Sequence, residues 1–86
     1  MEQFNKDIQV GTHYKRFQFK KIRNIDGVKF FITTVDDDKK PISFSMKKNK
    51  EGDWSLTPGA SRWLYEIKTE LADAIVETQP YSSNNN

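Results

Sequence analysis

The residues that could do chemistry in this chain are concentrated between positions 14 and 35. Lys15, Arg16, Lys20, Lys21, Arg23 and Lys29 stand there against Asp26 alone, a local charge of +5, interleaved with Tyr14, Phe17, Phe19, Phe30 and Phe31. Lysine and arginine neutralise phosphates, and an aromatic face stacks on an unpaired base for about 1–3 kcal/mol. A basic surface with exposed aromatics is what a single-stranded nucleic acid needs. Lys15, Lys20, Lys21, Arg23 and Lys29 would contact phosphates, and Tyr14 or Phe31 would stack on bases. The competing explanation is a solvated strand face, which is commonly Lys-rich and so discourages edge-to-edge aggregation.

Other chemistry finds less support. Asp36-Asp37-Asp38 offers three carboxylates, but consecutive residues on a turn diverge, and neither a glycine nor a distal glutamate completes a calcium loop. His13 is the single histidine, with no nucleophile or orienting acid at a recognisable spacing. The four glycines, at 11, 27, 52 and 59, are too scattered to cradle a phosphate. There is no cysteine, hence no disulfide, thiolate zinc site or cysteine nucleophile. A non-enzymatic binding module without cofactor or metal is the expectation.

The elements that must position these residues follow from periodicity. Residues 14–25 are aromatic and β-branched and end at Asp26-Gly27, a strong hairpin signal. The returning strand is Val28-Lys29-Phe30-Phe31-Ile32-Thr33-Thr34-Val35. Phe17 and Phe19 share one parity and Ile22 has the other, which requires either a bulge near Lys20-Lys21 or partial cover on both faces. Adjacent strand residues point to opposite faces, so one member of Phe30-Phe31 must lie outside a core covered by one helix.

A polar turn through Pro41 leads to two period-2 segments. Ile42, Phe44 and Met46 point one way, with Ser43, Ser45 and Lys47 the other; Trp54 and Leu56 alternate with Asp53, Ser55 and Thr57. A loop at Lys50-Glu51-Gly52 sets Asn49 opposite Asp53, Lys48 opposite Trp54 and Met46 opposite Leu56, which gathers the apolar residues on one face. Trp54 and Trp63 both fall on apolar stripes and read as core. The last element is a helix, capped at Thr57-Pro58 or at Ser61. Its apolar stripe is Ala60, Trp63, Leu64, Ile67, Leu71, Ala74 and Ile75, opposite an acidic line of Glu66, Glu70, Asp73 and Glu77.

The expected architecture is therefore α+β: a four-stranded antiparallel sheet of two hairpins, with one C-terminal amphipathic helix on one face. Residues 14–78 form the domain. Residues 1–13 are a flexible segment or a short edge strand through Ile8 and Val10, cut off at Gly11-Thr12, and residues 79–86 are a disordered tail. The first residues lack the apolar stretch of a signal peptide, and no run approaches the ~20 apolar residues of a membrane span, so a cytoplasmic location is expected. The surplus of aromatic residues for so small a sheet predicts a homodimer. Protein–protein interaction, or self-association alone, is the alternative function; no membrane partner is expected.

The run Phe17-Gln18-Phe19-Lys20-Lys21-Ile22-Arg23-Asn24-Ile25-Asp26-Gly27-Val28-Lys29-Phe30-Phe31-Ile32, followed by Ile42-Ser43-Phe44-Ser45-Met46, resembles a repeat of the Pur-alpha family. Asn24 and Gly27 match an Asn-x-x-Gly at that family's first hairpin, and Phe30 and Ile32 match apolar positions of its second strand. The resemblance implies four strands and a helix, binding of single-stranded DNA or RNA through the sheet, and intertwined pairs. A looser likeness extends to the Whirly and transcriptional coactivator group. Val28 departs from the pattern, where a basic residue is frequent, as do the Trp54 hairpin and the Pro58-Gly59 approach to the helix.

Overall fold

Alternating apolar residues continue further toward the N-terminus than residue 14, and the sheet is correspondingly larger. The computed structural model describes residues 3–25 and 27–78. Among them are five strands, β1 (Gln3–Val10), β2 (His13–Asn24), β3 (Gly27–Val35), β4 (Pro41–Lys48) and β5 (Trp54–Leu56), followed by helices α1 (Arg62–Glu66) and α2 (Lys68–Thr78). The strands pair antiparallel in sequence order, β1-β2-β3-β4-β5. The α+β class with a C-terminal helix is as expected; the count of four strands is corrected to five. The added strand is the N-terminal segment, of which only the short edge-strand alternative describes what forms. It is held by Phe4 as well as Ile8 and Val10. The Phe4 ring stacks on its cross-strand partner Phe19 with centroids 4.6 Å apart, a contact worth about 0.5–1.5 kcal/mol beyond the area buried.

The hairpins close as turn chemistry requires. Asn24 and Gly27 are register partners, so the returning strand starts at Gly27 rather than at the expected Val28, and Gly27 has φ 124°, open to glycine alone at little cost. Asp26 lies outside the described residues, as does the tail 79–86. The second hairpin has the expected register: Lys48 pairs with Trp54 and Met46 with Leu56. The Asn49 N–H donates to the Asp53 carbonyl at 2.8 Å, and Gly52 takes the left-handed position at φ 91°. Between β3 and β4 the Asp36 carboxylate accepts the N–H groups of Asp38 and Lys40 at 2.9 and 2.8 Å. That carboxylate organises its own turn, an Asx arrangement.

Register decides the two faces. Phe17, Phe19, Phe30, Ile32, Phe44, Met46 and Leu56 are buried on one face, against Leu64, Ile67, Leu71, Ala74 and Ile75 from the helices. Five strands laid flat would separate the sheet edges by about 19 Å, more than the width of one helix. Helix α2 nevertheless packs on both β1 and β5. The sheet therefore curls around the helix, leaving its other face convex and open. No bulge interrupts the β2–β3 register, which runs unbroken from Gln18↔Thr33 to Asn24↔Gly27. Ile22 consequently sits on the open face beside Lys29, half-buried.

The expected helix is divided at Ile67, whose backbone leaves the helical region and whose N–H bonds to the Leu64 carbonyl at 3.2 Å. This is the tighter i→i−3 bond of a 3₁₀ turn. The apolar stripe survives the break because Ile67 itself is buried. Ser61 occupies the N-cap position without a side-chain cap. Thr57 is engaged elsewhere: its hydroxyl accepts from the Ser45 N–H at 2.7 Å, and its backbone N–H donates to the Ser45 carbonyl at 2.9 Å, extending the β4–β5 pairing. No helix among the described residues is long and apolar enough to cross a membrane.

Candidate nucleic-acid interface

The alternation of side chains along a strand divides the seven sequence-predicted residues into two groups. Register partners share a face, so Lys20, paired with Phe31, and Lys29, paired with Lys47, lie on the convex open face. Tyr14 has the same parity on β2 as Lys20 and is 72% exposed. Lys15, Lys21 and Arg23 have the opposite parity. Lys15 pairs with Ile8, Lys21 with Phe30 and Arg23 with Val28, all on the helix-bearing side. The five sequence-predicted basic residues therefore do not share one face, because Lys20 and Lys21 are neighbours in sequence and opposite in space.

Lys15 is committed to the fold. Its ammonium donates to the Val35 carbonyl at 3.2 Å and to the Asp37 carboxylate at 3.1 Å, and stands 5.9 Å from the centroid of the Trp63 ring. Its side chain is only 16% exposed. Lys15, Asp37 and Trp63, together with His13, Asp36 and Val10, line a cleft of about 300 Å³. The two tryptophans are core-associated, as expected. Both are half-buried, with Trp63 6.4 Å from Phe17 and Trp54 6.0 Å from Phe30 between ring centroids.

On the open face, Phe31 is surrounded by cations. Lys20 is its partner on β2 and Ser45 its partner on β4. Lys29 lies two residues back on the same strand, and Lys47 is directly opposite Lys29. Among the described residues, none of Lys20, Lys29 and Lys47 forms an ion pair. Like charges directly opposite on adjacent strands are destabilising, and Lys29↔Lys47 is such a pair. Phe31 is 37% exposed while its neighbour Phe30 is 2% exposed, which settles which member of Phe30-Phe31 faces out.

Lys47 and Arg16 are basic residues of this surface that the sequence-predicted set omits. Both were legible in part: Lys47 has the parity opposite to Phe44 and Met46, and Arg16 the parity of Tyr14 and Lys20. What the sequence did not show was that β4 lies beside β3 in the register that brings Lys47 to Lys29. Arg16 is held by Asp7, its partner on β1, through a 3.1 Å Nε–Oδ1 contact. The hydrogen bond to Asp7, then the carboxylate's charge, raise the Arg16 pKa above its ordinary value.

The acidic residues Glu66, Glu70, Asp73 and Glu77 are exposed on the helices, away from this face. Glu77 pairs with Lys6 of β1 at 3.2 Å. The convex sheet face is thus basic and aromatic, while the acidic helix surface shares its side of the molecule with Lys6, Lys15, Lys21 and Arg23. Comparisons with protein-family models, with curated proteins and with solved structures found no match for the chain.

Proposed function

We propose that the protein is a non-enzymatic module that binds single-stranded nucleic acid on its convex sheet face. Phe31 is the stacking platform; Lys20, Lys29 and Lys47 take the surrounding phosphates, and Arg16 and Tyr14 extend the contact toward the β1–β2 turn. The observation that carries this reading is the Lys29↔Lys47 pair beside an exposed aromatic ring. Two lysines opposite one another cost stability unless an anion neutralises them, and a phosphate of a stacked nucleotide would stand where that anion is needed. The acidic stripe of the helices would repel nucleic acid from the helix surface itself. The resemblance to a Pur-alpha repeat leads to the same class of ligand.

The test is fluorescence anisotropy of labelled single-stranded DNA and RNA at two salt concentrations. Neutralising three or four phosphates of a single strand gives a log K against log salt slope of about −2 to −3. Salt-sensitive binding with that slope is expected. Absence of binding at low salt would overturn the reading and leave a protein-interaction module. The dimer expected from surplus apolar residues is a separate proposal. On the open face that surplus comes down to Ile22, Phe31 and Val35, and sedimentation of the purified chain tests it.

A further inference from the structure

Between the Phe31 row and Arg16, the open face carries a line of neutral hydrogen-bonding side chains. Asn5 pairs with Gln18, Gln18 with Thr33, and Thr33 with Ser43, so four such groups stand abreast across β1 to β4. The Thr33 hydroxyl donates to Gln18 Oε1 over a long 3.5 Å, tethering the amide across the strand pair. Asn5, Gln18 and Thr33, with Arg16, Val35 and Pro41, line a shallow depression of about 380 Å³. Carboxamides and hydroxyls can donate to a phosphate but do not neutralise it, and a phosphate, which only accepts, leaves their acceptor oxygens unused. The edge of a nucleobase presents donors and acceptors side by side, and a carboxamide offers one of each.

The spacing along the strands fits the same ligand. Residues of one parity repeat every two positions, about 7 Å, comparable with the distance between successive nucleotides of an extended single strand. Along β2 the open face therefore reads Lys20, Gln18, Arg16, Tyr14, with Phe31 beside Lys20 and the Lys29–Lys47 pair one step further back. We infer that a single strand lies parallel to β2 over roughly four nucleotides, with one base stacked on Phe31 and the next read at its edge by Gln18 and Asn5. The inference rests on the single-strand reading above and adds to it a direction, a footprint and a pair of specificity-determining residues.

The experiment measures affinity for single-stranded DNA and RNA homopolymers of about two to about ten nucleotides, with the wild-type chain and with Gln18→Ala combined with Asn5→Ala. Thermal unfolding of both chains controls for folding. Affinity is expected to rise up to roughly four nucleotides and then level. The wild-type chain should rank the homopolymers by about tenfold or more, and the variant should bind them alike with its salt dependence intact. A wild-type chain that does not rank the homopolymers, or a ranking that persists in the variant, overturns the edge-reading role. Affinity that keeps climbing to the longest oligonucleotide overturns the footprint. Both of those leave the single-strand reading standing, whereas no binding of any oligonucleotide at low salt overturns the two together.

Discussion

Lys29 and Lys47 face each other directly across β3 and β4 on the open side of the sheet. The pair is unfavourable for the isolated fold and favourable for a fold that holds a polyanion, so folding and binding should respond in opposite directions to its removal. Lys29→Glu creates an attractive cross-strand pair, expected to maintain or raise stability by about 0.2–1 kcal/mol. The same change should weaken oligonucleotide binding at least tenfold at low salt. It should also flatten the salt slope by about 0.7 for each phosphate that the protein no longer neutralises. Chemical denaturation and anisotropy on one preparation check both halves; a variant that loses stability and keeps affinity would contradict them.

Phe30 and Phe31 are consecutive and should give opposite phenotypes. Phe31→Ala removes a stacking surface from an exposed position and is expected to cost binding about 1–3 kcal/mol, with little change in unfolding temperature. Phe30→Ala opens a cavity beside Phe4 and Trp54, and is expected to cost about 3–5 kcal/mol of stability. Denaturant titration of the two variants separates them.

On the proposed reading, Asp7 would compete with the oligonucleotide for Arg16, which it holds at 3.1 Å. Asp7→Asn removes a negative charge from the open face and releases the guanidinium, so binding should strengthen severalfold. The salt slope should steepen by up to about 0.7, the share of a single phosphate. The pair is exposed, and exposed pairs contribute little to folding, so the unfolding midpoint should hardly move. Weaker binding by the variant would show that Arg16 needs its carboxylate partner for orientation.

Lys15 separates charge from function. Lys15→Met removes the ammonium that ties Val35 and Asp37 to β2 and is expected to lower stability by about 1 kcal/mol. Oligonucleotide affinity should stay within twofold, despite the removal of a positive charge. Equal losses at Lys15 and Lys20 would place the ligand on both sides of the sheet and contradict a single convex interface.

Much of the fold was legible because its signals are local. The first hairpin's existence, the parity of Ile42, Phe44 and Met46, the Lys50-Glu51-Gly52 loop and the apolar stripe from Leu64 to Ile75 each depend on residues close together in the chain. The first strand was half legible. Ile8 and Val10 signalled it, but the stabilising contact is Phe4 on Phe19, between residues fifteen positions apart, and only the assembled sheet brings their rings together.

Composition and periodicity alone establish a small α+β chain with a basic, aromatic central hairpin and an acidic helix, since charge content and hydrophobic period belong to the chain before it folds. They also require Lys20 and Lys21 to part company once β2 forms, because side chains of a strand alternate. Which side of that strand is closed depends on tertiary packing. Phe17 and Phe19 are buried under the helices, and that burial alone assigns Lys15, Lys21 and Arg23 to the helix-bearing side and Lys20 to the open one. Strand order and register did the rest, carrying Lys47 to Lys29 and Asn5 to Gln18 across gaps that no local pattern spans. The site is made of cross-strand neighbours, and cross-strand proximity exists only after the sheet has closed around its helix.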